Sequence, residues 1–247
     1  MLKGGQALRT RGVSNRATGD LDMRSDYRVL EHGVEAAIFA SRIDIGDGIV
    51  FDIASGPRPL APLATRSHGG YALSFTATIG GEPMGRVSID LVTGREPSGL
   101  VLEAQRPLVV DIPGTTPVRM RVYPVEDHIA DKTWATLTTF NARPSSRVRD
   151  LYDLCAFALR SAPSAAPLSV ALEEERVRRG LDVATSLVPP NEWSRRWPTM
   201  FVKYPDDGIP HSLDDAARLA QSLVDPVLSQ AVTTGAWNSK RGVWTTA

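Results

Sequence analysis

One cysteine, Cys155, stands in the 247 residues, inside an apolar run of helical appearance. A single thiol excludes an internal disulfide and fits a reducing cytoplasm. No apolar stretch is long enough to span a bilayer and no signal peptide opens the chain, so no membrane partner is expected. Neither sign of charge is in excess, with 28 Lys and Arg against 28 Asp and Glu. A nucleic-acid partner is therefore not advertised by bulk charge and needs a local basic patch. Four histidines are scattered without metal-ligand spacing, which argues against zinc. G-x-S-x-G, Walker and Rossmann patterns are absent, and no internal repeat is visible. What remains is an ordinary globular composition, 42% hydrophobic and 23% charged. The length allows one large domain or two small ones, with ample core.

The informative stretch is the first two dozen residues. Gly4-Gly5 precedes an amphipathic run, Ala7-Leu8-Arg9, and Asp20-Leu21-Asp22 places two carboxylates at i and i+2. A glycine pair ahead of a helix leaves backbone N–H groups open to phosphate oxygens, and the helix dipole adds to that. On a strand, period-2 alternation puts Asp20 and Asp22 on one face. Two ionised carboxylates there repel each other, which points to a cation between them. The alternative for any D-x-D is a solvated strand end. Phosphate cradle and metal-binding carboxylates together suit phosphoryl or nucleotidyl transfer.

Periodicity and turn residues give a coarse element order. Residues 5–11 read as a helix and 17–23 as the aspartate strand. Asp26–Phe39 has a helical period, Ile49–Ile53 is a short strand, and Pro57–Pro62 a Pro-rich loop. Gly70–Ile79 and Gly85–Val92 read as a hairpin around Gly80-Gly81-Glu82. Asp90 falls between Ile89 and Leu91 on its second strand, where an acid needs a partner. Short strands interrupted by Pro113-Gly114 and Pro117 are expected over residues 108–123. Val125–Phe140 reads as a helix, and Ser145 or Ser146 is expected to cap another that runs to Ser161. Ser161–Pro167 reads as a linker, followed by a helix over Leu168–Gly180 and a last one over Ser212–Val232. Mixed elements followed by helices predict an α+β domain over residues 1–123 and a helical region over 124–247.

The glycine pair followed by Arg16, Thr18, Asp20 and Asp22 in R-x-T-x-D-L-D resembles the nucleotidyltransferase toxins of the AbiEii family, which includes the MenT toxins. Two later segments carry the same resemblance in the same order: Asp127-His128-Ile129-Ala130-Asp131-Lys132, and Arg147-Val148-Arg149-Asp150-Leu151-Tyr152-Asp153-Leu154. The resemblance covers residues 1–160. It implies a polymerase-β-like mixed sheet with helices, and transfer of a nucleotidyl group from a nucleoside triphosphate with Mg²⁺ or Mn²⁺. The acceptor it implies is the 3′ end of tRNA. A cognate antitoxin is the implied partner, and the cytoplasm the implied location. Family members carry a helical segment and a complete strand before the glycine pair, so the resemblance also implies a truncated N-terminus.

Residue by residue, the resemblance makes Asp20, Asp22 and Asp90 the metal ligands, with Asp90 as the third acid on a neighbouring strand. The competing reading of Asp90 is an outward-facing acid on an edge strand. Gly4 and Gly5 would hold the triphosphate through backbone N–H groups. Gln6 stands where the family has Ser or Thr, and its amide can still donate. Arg9 lies one turn from Gly5 and would point at the phosphates, or be a solvated helix residue. Lys132 matches the family's motif lysine, a point charge for nucleotide phosphates, where a lone lysine on an amphipathic helix is otherwise solvent-facing. Asp150 matches the last motif and is favoured over Asp153. Its expected role is to orient Lys132 or accept the proton of the attacking group; the plain reading is an i,i+3 pair with Arg147. Arg176, Arg178, Arg179, Arg195 and Arg196, with Trp193 and Trp197, could grip and stack RNA, or form a solvated helix face beside a small tryptophan core. Two further functions stay open: an inactive binding protein of the same fold, and a nucleotidyltransferase acting on a protein or small molecule.

Overall fold

The computed structural model describes residues 1–14, 16, 18–25, 29–60, 69–93, 96–105, 119–139, 143–204 and 208–245. The chain divides into two compact units. The first comprises Met1–Ala7, Ala17–Glu96 and Glu103–Val122, and the second Leu8–Arg16, Pro97–Leu102 and Tyr123–Ala247.

In the first unit, β1 (Asp20–Arg24), β2 (Ile49–Pro59), β3 (Gly70–Ile79) and β4 (Glu82–Val92) make one sheet in the order β1-β4-β3-β2. The β3–β4 hairpin and β2 are antiparallel neighbours, whereas β1 runs parallel to β4, so the sheet is mixed. Alternation then sorts the residues. Met23, Leu73, Phe75, Ile89 and Leu91 fall on one face and pack with Val34, Leu30 and Ile38 of α2 (Leu30–Ser41). Asp20, Asp22, Ser88, Asp90 and Ser74 fall on the other.

Residues 1–3 tie the chain start to this sheet. Leu2 bridges Met23 antiparallel and Val122 parallel, the latter in β6 (Arg119–Val122), which pairs with β5 (Leu102–Gln105). Lys3 N donates to Asp22 O at 2.7 Å and Arg24 N to Met1 O at 2.8 Å. The chain therefore turns into α1 (Gly4–Thr10) directly beside Asp22. The division between the units falls within α1.

The second unit is mostly helical: α3 (Val125–Leu137), α4 (Val148–Arg160), α5 (Ala165–Arg179), a 3-10 turn Asn191–Arg195, α6 (Pro198–Lys203) and α7 (Leu213–Leu228). Leu151, Tyr152, Leu154, Cys155, Ala156 and Phe157 of α4 are all fully buried, which makes α4 the central helix. All five tryptophans of the chain lie in this unit, and each indole N–H has a carbonyl. Trp134 donates to Leu172 O, Trp193 to Ser145 O, Trp197 to Pro210 O, Trp237 to Ala158 O and Trp244 to Leu223 O.

Several elements depart from the sequence reading. The strand expected over Ile49–Ile53 continues to Pro59, through residues expected to loop. Register shifts beside Ser55 absorb the irregular backbone, and β2 is an edge strand, where proline is tolerated. The expected Ser161–Pro167 linker is shorter: residues 161–164 connect α4 to α5, which starts at Ala165 and whose first turn needs no N–H from Pro167. Neither Ser145 nor Ser146 caps α4. Arg147 takes the N-cap without a side-chain bond, and Ser145 Oγ donates to Ala135 O while accepting from Arg147 N. A terminal hairpin, β7 (Ala236–Asn238) with β8 (Val243–Thr245), closes the region expected to be all helical. The strands expected over 108–118, and the outermost ends of the helices at Asp26 and Phe140, lie outside the described residues.

Candidate active site

The carboxylates of the first unit meet by strand register. Asp22 is the direct partner of Asp90 across the parallel β1–β4 pair, and Asp20 is the partner of Ser88. Parallel partners share a face about 4.8 Å apart, so Asp22 and Asp90 stand side by side and Asp20 lies one step along β1. Asp22 and Asp90 are half-buried and Asp20 is exposed.

Gly4 closes over Asp22. Its φ is +59°, a left-handed conformation, and a Cβ there would lie 1.8 Å from Asp22 Oδ2. The first turn of α1 thus approaches Asp22 more closely than any side chain allows. Gln6 Nε2 donates to Thr18 O at 3.3 Å, tying α1 to the chain leading into β1. Gln6 is buried and its Oε1 has no partner among the described residues. Arg9 occupies the last turn of α1. Gly4→Ala is expected to lose nucleotidyl transfer, because backbone strain of about 1–2 kcal/mol combines with displacement of Asp22. Gly12→Ala is the control, since Gly12 also has positive φ but no atom within 4 Å of its Cβ position. Equal activity in the two variants would show that the Gly4–Asp22 approach does not matter.

A metal is implied by the sequence, and the pair fits one. Two carboxylates are hard oxygen donors, and Mg²⁺ typically takes one or two of them, completing its shell with water and substrate phosphates. Among the described residues no three His, Cys, Asp or Glu side chains converge as an all-protein cage. The fit is therefore to Asp22 and Asp90 as a pair, with Asp20 beside them rather than in the same cluster.

The second unit holds a different arrangement. Lys132 is 7% exposed, and its Nζ donates to Asp153 Oδ2 at 2.5 Å and Asp150 Oδ1 at 3.1 Å. Arg16 makes a two-pronged pair with Asp153, Nε to Oδ1 and Nη2 to Oδ2, each at 3.0 Å. Arg16 also lies 5.6 Å above the Tyr204 ring. Arg147 Nε donates to Asp150 Oδ2 at 2.5 Å, as an i,i+3 pair. Burial pulls the Lys132 ammonium down, but Asp153 and Asp150 outweigh it and hold its pKa above the ordinary value. Burial likewise pushes Asp150 up, but Lys132 and Arg147 prevail and lower it to about 2. Arg16 shows the same contest, burial against Asp153, and ends above its usual value.

This network recasts three sequence readings. Lys132 is not a solvent-facing lysine. Asp150 accepts a hydrogen bond from Lys132 Nζ, while its low pKa makes it a poor proton acceptor near neutrality. Asp153, less favoured than Asp150 on sequence, is the carboxylate that joins Arg16 to Lys132. Arg16 is visible within the R-x-T-x-D-L-D pattern, but its partner lies 137 residues away. In the C-terminal basic and aromatic cluster the tryptophans belong to the core: Trp193 and Trp197 are each 1% exposed, so neither stacks on a base. Arg176 pairs with Glu173, and Arg178 and Arg179 both pair with buried Glu175.

Among solved structures, the chain is similar to MenT4, a nucleotidyltransferase toxin from Mycobacterium tuberculosis H37Rv. The TM-score is 0.54 at 17% identity, covering 98% of this chain and 78% of that one, a likeness of fold. No curated protein matches the chain. The family model described as nucleotidyl transferase AbiEii toxin, type IV toxin–antitoxin system, matches residues 1–220. With the mixed sheet that brings Asp22 to Asp90, this match identifies the chain as a nucleotidyltransferase belonging to the AbiEii toxin family.

Proposed function

We propose that the enzyme transfers a nucleotidyl group from a nucleoside triphosphate to the 3′ end of an RNA, tRNA being the acceptor, on the carboxylate face of the first unit. The observation that carries this reading is the Asp22–Asp90 pairing beneath Gly4. Asp22 and Asp90 would hold Mg²⁺ or Mn²⁺, with Asp20 reaching the same face from one step along the strand. The bound metal neutralises charge developing on the phosphate and lowers the pKa of the attacking hydroxyl. The acceptor hydroxyl gives up its proton to solvent water and its oxygen bonds to the α-phosphorus. The bond to the bridging oxygen breaks, and pyrophosphate leaves.

The protein's own contributions are positional. Backbone N–H groups of Gly4, Gly5 and Gln6 in the first turn of α1 would hold the triphosphate, and the Gln6 amide is held by Thr18. Arg9 adds a positive charge to the same short helix. In the second unit, Asp150 and Asp153 keep Lys132 charged and fixed. A type IV system supplies the antitoxin partner. Among the described residues no helix is long and apolar enough to cross a membrane, and the nucleotide and RNA substrates of this reaction belong to the cytoplasm.

Incubation with tRNA, Mg²⁺ and each α-labelled nucleoside triphosphate tests the acceptor. Label is expected on RNA. Label on protein or on a small molecule would transfer the reading to that acceptor, and no label on any acceptor would overturn it in favour of an inactive binding protein.

A further inference from the structure

Two segments of the second unit meet at the N-terminal end of α4. Trp193 Nε1 donates to Ser145 O at 2.6 Å, and Arg196 Nη1 donates to Ser146 O at 3.0 Å. Trp197 packs on Tyr152, with ring centroids 6.3 Å apart. This junction brings Arg196, and Arg195 before it, to the segment that carries Arg147 and Arg149; these four and Lys203, at the end of α6, are exposed. Arg149, Arg195 and Lys203 form no ion pair among the described residues. The one acid in Asn191–Lys203 is Glu192; Asp206 and Asp207, which follow, lie outside the described residues. In a chain of zero net charge, five exposed cations on two joined segments are a local field, not a consequence of composition.

The same segment carries a flat aromatic ledge. Phe201 of α6 and exposed His211 stack with centroids 4.0 Å apart and an interplanar angle of 14°. Phe201 also meets Tyr152 of α4 at 6.1 Å, which ties the ledge to the helix that carries Arg149. A row of cations beside an accessible stacked ring matches single-stranded nucleic acid: phosphates along the cations and a base on the ring. An acidic protein would use the cations but would have no use for a flat imidazole face.

We propose that this face grips the single-stranded end of an RNA, with Arg147, Arg149, Arg195, Arg196 and Lys203 on its phosphates and His211 under a base. The proposal rests on the RNA-acceptor reading above and supplies a binding surface for it. The surface keeps Arg195 and Arg196 of the one the sequence suggested and has His211 in place of its buried tryptophans.

Fluorescence anisotropy of a labelled single-stranded RNA oligonucleotide with the full chain, without nucleotide, tests it. The triple variant Arg149→Gln, Arg195→Gln, Lys203→Gln is expected to bind at least about tenfold more weakly. Its log–log salt slope should be shallower by about 2, at ~0.7 for each phosphate no longer neutralised. His211→Ala is expected to weaken binding about fivefold or more with the slope unchanged. Wild-type affinity and slope in the triple variant overturn the proposal, as does binding of phosphatidylserine vesicles that RNA fails to displace. Label transfer to RNA with unaltered binding by the triple variant removes this surface alone. Weakened binding without label transfer to RNA removes the acceptor reading alone.

Discussion

Asp153→Asn is expected to lower the melting temperature by about 10 °C. The change keeps the side chain's shape and removes its charge, so it isolates the electrostatic role. Asp153 is fully buried and is the shared partner of Arg16 and Lys132. With it neutral, the Arg16 guanidinium stays buried without a counter-charge, and Lys132 is left with Asp150 alone. Breaking a buried pair from one side costs about 3–5 kcal/mol, because a charge stays desolvated and uncompensated. At about 2–4 °C per kcal/mol for a chain of this size, that is a shift of roughly 6–20 °C. The exposed Asp215–Arg218 pair provides the contrast: Asp215→Asn is expected to leave the melting temperature unchanged. Thermal scans of both variants check this, and an Asp153→Asn protein that melts within about 2 °C of wild type would contradict it.

Local signals in the sequence carried most of the first unit. Gly80-Gly81 between two alternating runs placed the β3–β4 hairpin, and D-x-D on a strand placed Asp20 and Asp22 on one face. Asp90 lies on the hairpin's second strand as its pattern indicates, but its register against Asp22 is a parallel pairing that no local pattern encodes. Elsewhere, tertiary context overrode a local signal. Proline marked a loop over 57–62, yet an edge strand with bulges accommodates Pro57 and Pro59. Ser and Pro in SAPSAAP suggested a linker, yet proline in a helix's first turn has no N–H to lose. The Lys132 network was the least legible feature. A lysine on a helix looks solvated unless its partners are known, and Arg16 reaches Asp153 across most of the chain. The tryptophans misled for a related reason: an indole beside arginines reads as a stacking surface, whereas here each one spans core and backbone carbonyl.

Asp22→Asn is expected to lower the rate of nucleotidyl transfer by about a thousandfold or more, roughly 4 kcal/mol at 1.36 kcal/mol per decade. Its effect on stability should have the opposite sign to that of a structural residue. Asp22 and Asp90 stand side by side with like charges, so neutralising one relieves repulsion, and the metal-free variant should melt no lower than wild type. Mg²⁺ or Mn²⁺ should raise the melting temperature of the wild type by mass action and lose that effect in the variant. Loss of activity together with a large loss of metal-free stability would instead make Asp22 a structural residue.

The most direct measurement is pyrophosphate release from a nucleoside triphosphate in the presence of tRNA, compared for wild type and Asp22→Asn across a Mg²⁺ titration. The account predicts Mg²⁺-dependent release by wild type and release near background in the variant at every concentration. Release by the variant at the wild-type rate, with the same Mg²⁺ dependence, would contradict the assignment of the Asp22–Asp90 face as the reacting centre.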